Sequence, residues 1–200
     1  MESAAQVIGA TVVQWDKEAS LWLNSLHCGF SDQVWRFFSD KYVWIALYAV
    51  VLFFLFRRLG WRMALVAVCA IALTVLSCDQ LSNLFKNWIC RPRPTHDAWM
   101  LEHGLNILCG RGGNYGFFSA HAANAFGFAI SSLMIFRTDT RFSYKPYAWA
   151  IMIWAFLVSL SRVFVGRHFL GDILVGTIVG LLVGYIFALL FRRYAISSES

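Results

Sequence analysis

The chain has 200 residues, 59% of them hydrophobic and 14% charged, with a formal net charge of +6 at pH 7. An ordinary soluble domain carries about a quarter charged residues, so this balance argues against one. The basic residues gather at the flanks of long apolar blocks, so the positive charge reads as membrane flanks and no nucleic-acid partner is expected.

Residues 1–41 begin Met-Glu, without the basic start of a secretory signal. Within them Trp15, Leu21, Trp22, Leu23, Leu26, Val34, Trp35, Phe37 and Phe38 are interleaved with Asp16, Lys17, Glu18, Asp32, Arg36, Asp40 and Lys41. That mixture predicts amphipathic helices lying on a membrane surface. A sixth span at 4–13 is too short to be convincing.

Residues 42–193 hold apolar blocks at 42–56, 63–85, 117–136, 146–161 and 173–191. Asp79 is the charged residue of the second block, and His121 lies in the third. A helix of about 20 residues crosses a bilayer core of roughly 30 Å, so the shorter blocks need snorkelling Lys and Arg or a thinned bilayer. The expected fold is an all-α integral membrane protein, a single domain over 1–200, with about five transmembrane helices and six at most. Under alternation Arg57, Arg58, Arg62, Arg137, Arg141, Lys145, Arg192 and Arg193 fall on one side, which the positive-inside rule makes cytoplasmic. Lys86, Arg91, Arg93, Arg111, Arg162 and Arg167 fall on the other and are assigned to ligand binding.

The links at 57–62 and 137–145 read as basic and bland, and the tail at 196–200 as frayed. The long connection, roughly 87–116, carries Pro92, Pro94 and a glycine-rich run, so it is irregular and its length favours function. Its outer ends carry Cys90 and Cys109, which could pair, but Cys28, Cys69, Cys78, Cys90 and Cys109 have no metal-ligand spacing and free thiols are the default.

Polar groups at the ends of the apolar blocks carry the chemistry. Charge at a membrane helix end is costly and is a functional signal. His168 and Asp172 are four apart, one helical turn, so the carboxylate can hold one imidazole nitrogen and leave the other nucleophilic. Taken alone, such a pair is more often a helix start with a local hydrogen bond. Arg162, after Ser161, offers planar bidentate donors suited to phosphate, although an interface anchor has the same look. Ser119-Ala120-His121 opens a span after the glycine-rich loop, where free backbone N–H groups favour an anion and Ser119 donates or caps. A satisfied interface histidine is the alternative for His121. Lys86 and Arg93 add a point charge and a fork, with snorkelling the bland reading for Lys86. Asp79, seven residues before Lys86, reads as structural, bonding Asn83 or steering Lys86.

In chain order these residues read Lys86-x6-Arg93-Pro94, then Ser119-x-His121, then Ser161-Arg162-x5-His168-x3-Asp172. The pattern resembles the type 2 phosphatidic acid phosphatase superfamily, which also holds vanadium haloperoxidases and glucose-6-phosphatase. The resemblance runs from about Asp79 to Asp172. The middle motif departs from the family's common Pro-Ser-Gly-His, because Phe118 and Ala120 replace its proline and glycine. Every catalytic group is kept, so the departure bears on substrate choice. The resemblance implies that His168 attacks phosphorus, that Asp172 orients it, and that His121 protonates the leaving oxygen. It implies that Lys86, Arg93, Arg162, Ser119 and the Ala120 N–H hold the phosphate oxygens. Three cations can stabilise phosphoryl transfer and no carboxylate cluster is available for Mg²⁺, so no metal and no other cofactor is expected.

The expected substrate is a membrane lipid phosphate, with the site facing the periplasm from a bacterial inner membrane and no obligate protein partner. Similarity to small Gram-negative members leans to lipid A, with undecaprenyl diphosphate and phosphatidylglycerophosphate as alternatives. The short outer loops are expected to leave little room for a lid. A vanadate-dependent oxidoreductase is disfavoured by the absence of a large soluble helical domain. A lipid or anion transporter is disfavoured because the polar groups sit at helix ends and not at the midplane.

Overall fold

The helices follow the apolar blocks closely. The computed structural model describes residues 4–197; the last residues of the tail, expected to fray, lie outside the described residues. In chain order the helices are α1 (Ala4–Ser25), α2 (Gly29–Ser39), α3 (Ile45–Ile89), α4 (Ala98–Glu102), α5 (Ala120–Phe136), α6 (Lys145–Phe164) and α7 (Leu170–Ser197), with a 3-10 turn at Pro94–His96. No strand occurs among the described residues, only an isolated antiparallel bridge between Pro92 and Tyr115. Helices α3, α6 and α7 are long and apolar enough to cross a membrane, and α5 is shorter and apolar.

At 1.5 Å per residue, α3 would run about 68 Å if straight, more than twice a bilayer core. It is broken at Gly60, whose φ of 75° and ψ of 165° suit glycine alone. The expected basic link at 57–62 is thus a single glycine break. Val51 and Leu55 before it and Ala64, Ala67 and Ile71 after it enter one buried cluster.

Helix α5 is the central strut, buried along most of its length and packed on α3, α6 and α7. Its tightest neighbour is α7. A Cβ at Gly176 would lie 2.6 Å from the Ser119 carbonyl oxygen, and one at Gly184 would lie 2.5 Å from that of Gly127. At Gly180 a Cβ would overlap the Ala123 carbonyl. Glycine every fourth residue lets the two backbones touch, the small-residue packing that substitutes for hydrophobic driving force in lipid. This contact sets the two helix N-termini side by side, and Ser119 N donates to the Asp172 carbonyl at 3.0 Å.

The N-terminal helices do more than lie on a surface. Trp15, Trp22, Phe30 and Phe37 are exposed, as an interfacial helix requires. Yet α1 also docks on α6 and α7, and α2 on α6, with the Trp35 ring stacked on Phe164 at 4.1 Å. Buried Asn24 of α1 donates to the carbonyls of Asn106, Val163 and Phe164 at 3.0, 3.2 and 2.9 Å. It thereby satisfies carbonyls at the open end of α6.

The long connection is ordered. Arg93 N donates to Asn114 O at 3.0 Å and Gly116 N to Arg91 O at 2.9 Å, which ties its two ends together. Lys17 of α1 pairs with Asp97 at 2.7 Å and fastens its middle. At the opposite end of the bundle the expected bland link at 137–145 holds buried Asp139, which accepts from Arg141 Nε at 2.7 Å and Tyr144 Oη at 3.1 Å. Arg141 also reaches the Arg58 carbonyl at 2.7 Å, joining the two links of that end. All five cysteines are free thiols.

Candidate active site

His168 lies on the turn between α6 and α7 and is 3% exposed. Asp172, in the first turn of α7, is fully buried. Its Oδ2 accepts from the Phe169 N–H at 3.1 Å and sits 3.3 Å from His168 Nδ1. The carboxylate therefore caps the helix and orients the imidazole together. On the other side of the ring, Arg93 Nη1 is 3.1 Å from His168 Nε2 and also donates to the Arg167 carbonyl at 3.1 Å. A guanidinium can only donate and a carboxylate can only accept. The proton thus belongs on Nδ1, and Nε2 keeps its lone pair. Burial pushes His168 well below the ordinary histidine range, and the charges of Arg93, Arg162, Lys86 and Arg167 push it the same way. The ring is held neutral.

Asp172 is itself held. Arg91 Nη1 donates to its Oδ1 at 2.8 Å and Arg91 Nη2 to Asp16 Oδ2 of α1 at 2.6 Å. Asp16 Oδ1 accepts from Gly171 N at 2.8 Å, and Ser20 Oγ accepts from Leu170 N at 2.8 Å. The Arg91 guanidinium lies over the Phe169 ring, 4.2 Å from its centroid. Arg91, expected among the ligand-binding cations, is instead the clamp on the orienting carboxylate.

Ser119 is the N-cap of α5, buried, its Oγ accepting from Ala122 N at 3.4 Å. Of its two expected roles, the structure shows the cap. Ala120 and His121 follow in the first turn of α5. His121 lines a cavity of about 270 Å³ with Ser39, Lys41, Asp79, Ala120 and Asn124. It also lines a second space with Arg36, Lys41, Cys109, Arg162 and Arg167. His168, Lys86, Arg162 and Arg167 all lie within electrostatic reach of it. Lys86, near the end of α3, feels the charges of Arg93, Asp79, Asp172 and Arg162.

Arg162 is 5% exposed. Its Nη1 donates to the Ser39 carbonyl at 3.3 Å and to the Ser39 hydroxyl. The end of α2 therefore packs against the cation cluster. The Nε–H groups of Arg93, Arg162 and Arg167 are buried and have no hydrogen-bond partner. Three unsatisfied guanidinium donors around a neutral imidazole form a cradle that an anion with several oxygens would complete. Asp79 accepts from Asn124 Nδ2 at 2.8 Å, so its hydrogen-bond partner is on α5 and is not Asn83, while its charge still acts on Lys86.

The fold gathers the residues expected from the sequence, His168, Asp172, Arg93, His121, Ser119, Ala120, Lys86 and Arg162, at one end of the bundle. Asp16, Ser39 and the clamping role of Arg91 carry no local sequence signal, because their partners are remote in sequence.

The PAP2 superfamily model matches residues 65–195. The chain belongs to the PAP2 superfamily. It is 34% identical over 187 residues to a lipid A 4'-phosphatase of Bacteroides thetaiotaomicron, covering 92% of this chain and 80% of that one. A lipid A 4'-phosphatase of Porphyromonas gingivalis is 35% identical over 175 residues, covering 87% and 72%. Among solved structures, a transmembrane PAP2 type phosphatidylglycerolphosphate phosphatase from Bacillus subtilis superposes with a TM-score of 0.73 at 19% identity, over 92% of this chain and 87% of that one. At that identity the likeness is one of fold. The chain is a membrane protein whose matched relatives are phosphatases.

Proposed function

We propose that this PAP2 protein is a lipid A phosphatase that works through a phosphohistidine and without a metal. The observation that carries the chemistry is His168, neutral, held through Nδ1 by Asp172, with Nε2 beside the Arg93 fork. The lipid A reading rests on the two relatives at 34% and 35% identity.

In the reaction, the substrate phosphate settles among Lys86, Arg93, Arg162 and Arg167 and takes up their unpaired donors. The Ser119 hydroxyl and the Ala120 N–H at the start of α5 complete the cradle. The Nε2 lone pair of His168 attacks phosphorus. The bond from phosphorus to the lipid oxygen breaks, its electron pair goes to that oxygen, and His121, which carries a proton once the anionic phosphate offsets the surrounding cations, supplies that proton. His168 becomes positive as the bond forms, and Asp172 stabilises it. Neutral His121 then takes a proton from water, whose oxygen attacks the phosphohistidine. The N–P bond breaks, the pair returns to Nε2, and inorganic phosphate leaves. Positioning and fixed charge supply the stabilisation, the work that metal ions do in many phosphoryl transfers.

Arms 45–59 and 61–89 of α3, with α5, α6 and α7, make five spans of one domain. The cradle then faces the periplasm from the inner membrane and the Arg58–Arg141 end faces the cytoplasm. No obligate protein partner is required for this scheme.

Purified protein given lipid A releases one phosphate, read by mass spectrometry and phosphate assay, and keeps that activity in excess EDTA. His168→Ala abolishes turnover and phosphoenzyme labelling while remaining folded. Label that persists in His168→Ala overturns the nucleophile. Turnover of undecaprenyl diphosphate or phosphatidylglycerophosphate with none of lipid A overturns the substrate.

A further inference from the structure

The cavity that His121 shares with Asp79 and Asn124 reaches below the cation cradle. Asp79 lies seven residues before Lys86, about 10 Å along the helix. The walls are of two kinds. Trp44, Tyr48 and Trp154 are aromatic, with Trp154 edge-on to Trp44 at 5.6 Å and to Tyr48 at 6.1 Å. Asp79 and Asn124 are polar and bonded to each other at 2.8 Å. Two polar atoms of residues that line the cavity remain unspent: Asn124 Oδ1 and Trp154 Nε1 are buried and have no hydrogen-bond partner.

An acceptor, a donor and a carboxylate beside aromatic faces match the two surfaces of a sugar ring, its hydroxyls and its C–H face. A hydrocarbon chain in the same space would leave Asn124 Oδ1 and Trp154 Nε1 unpaired. Position argues in the same direction. His121 gives its proton to the leaving oxygen, so the group bonded to that oxygen must lie on the His121 side. His121 lines two spaces; the one with the aromatic walls, of about 270 Å³, suits a single ring.

We infer that this cavity is a leaving-group subsite that binds the sugar ring bearing the scissile phosphate, with Asn124 and Trp154 as its specificity-determining residues. This rests on the phosphatase reading above and adds which residues select a glycolipid over a glycerolipid.

The test compares wild type, Trp154→Phe and Asn124→Ala on two lipid phosphate monoesters in one detergent. One is lipid A, with its phosphate on a sugar; the other is dioleoyl phosphatidate, with no ring. The quantity read is the ratio of the two kcat/KM values on the same preparation, which does not depend on the folded fraction. Wild type prefers lipid A, and each variant lowers the ratio about fivefold, the effect of losing a neutral hydrogen bond. A ratio unchanged in both variants overturns the subsite and leaves the phosphatase reading standing. Wild type that releases no phosphate from lipid A overturns both.

Discussion

His168 is defined by what stands on each side of its ring. Arg93 can only donate to Nε2, so the Nδ1 proton faces Asp172. Its folded pKa lies below the unfolded value, so the unfolded chain takes up the proton first as pH falls. The stability this group contributes is full above about pH 6.5 and erodes below it. The corresponding expectation is direct: in 15N-histidine NMR of the detergent-solubilised protein, the His168 ring remains neutral at pH 6.5. A titration midpoint at or above that value would contradict the reading. Behind Asp172, Asp16 neutralises the far arm of Arg91. Asp16→Asn keeps the shape and removes the charge, and a charge-assisted bond of about 1.5–3 kcal/mol is weakened. Because Asp16 reaches the reaction through Arg91 and the Gly171 N–H, both beside Asp172, and touches no substrate group, kcat is expected to fall about tenfold with KM unchanged. Steady-state kinetics decide it, and a change confined to KM would place Asp16 in substrate binding. The Nδ1 resonance of His168 shifts in the same variant, which a purely structural loss would not cause.

The elements carry the site because α5 and α7 meet backbone to backbone. Gly180→Leu would drive a side chain into the Ala123 carbonyl, and overpacking of this kind costs about 1–3 kcal/mol or more. Thermal unfolding in detergent is expected to shift down by about 5 °C or more, with activity lost in parallel because the N-termini carrying Ser119, His121 and Asp172 separate. An unchanged midpoint would mean that the two helices do not need this approach. Much of this level was legible in the sequence. The apolar blocks gave the helices, since a membrane helix announces itself by local composition, and polar residues at their ends stood out against that background. Gly176, Gly180 and Gly184 recur every four residues and were readable as a packing stripe, though length and hydropathy drew the reading elsewhere. The docking of α1 and α2 was not readable. Asp16 meets Gly171 across 155 residues and Ser39 meets Arg162 across 123, and no local period marks such pairs. Arg91, two residues from Arg93, looked like one more phosphate ligand because only tertiary structure brings Asp16 and Asp172 to it.

Across the whole molecule, the two ends of the bundle differ in how their charge is used. At one end Lys86, Arg93, Arg162 and Arg167 surround the imidazoles, with three buried Nε–H groups unpaired. At the other, Arg141 is bound to Asp139 and to the Arg58 carbonyl, so the charge there fastens two links. Cations that fasten links at a helix end fit a cytoplasmic flank, and cations aimed at a cradle have no need to obey that rule. The proposed sidedness therefore rests on Arg57, Arg58, Arg62, Arg137, Arg141 and Lys145, and it is open to test at exposed positions of each end. In a background with the native cysteines replaced, Gly113→Cys is expected to react with an impermeant thiol reagent added to intact spheroplasts. Thr140→Cys is expected to react only after permeabilisation. The reverse pattern would put the cradle in the cytoplasm. It would then be unable to reach phosphates that face the periplasm, so lipid A in the outer leaflet would fall as a direct substrate even if the purified protein hydrolysed it.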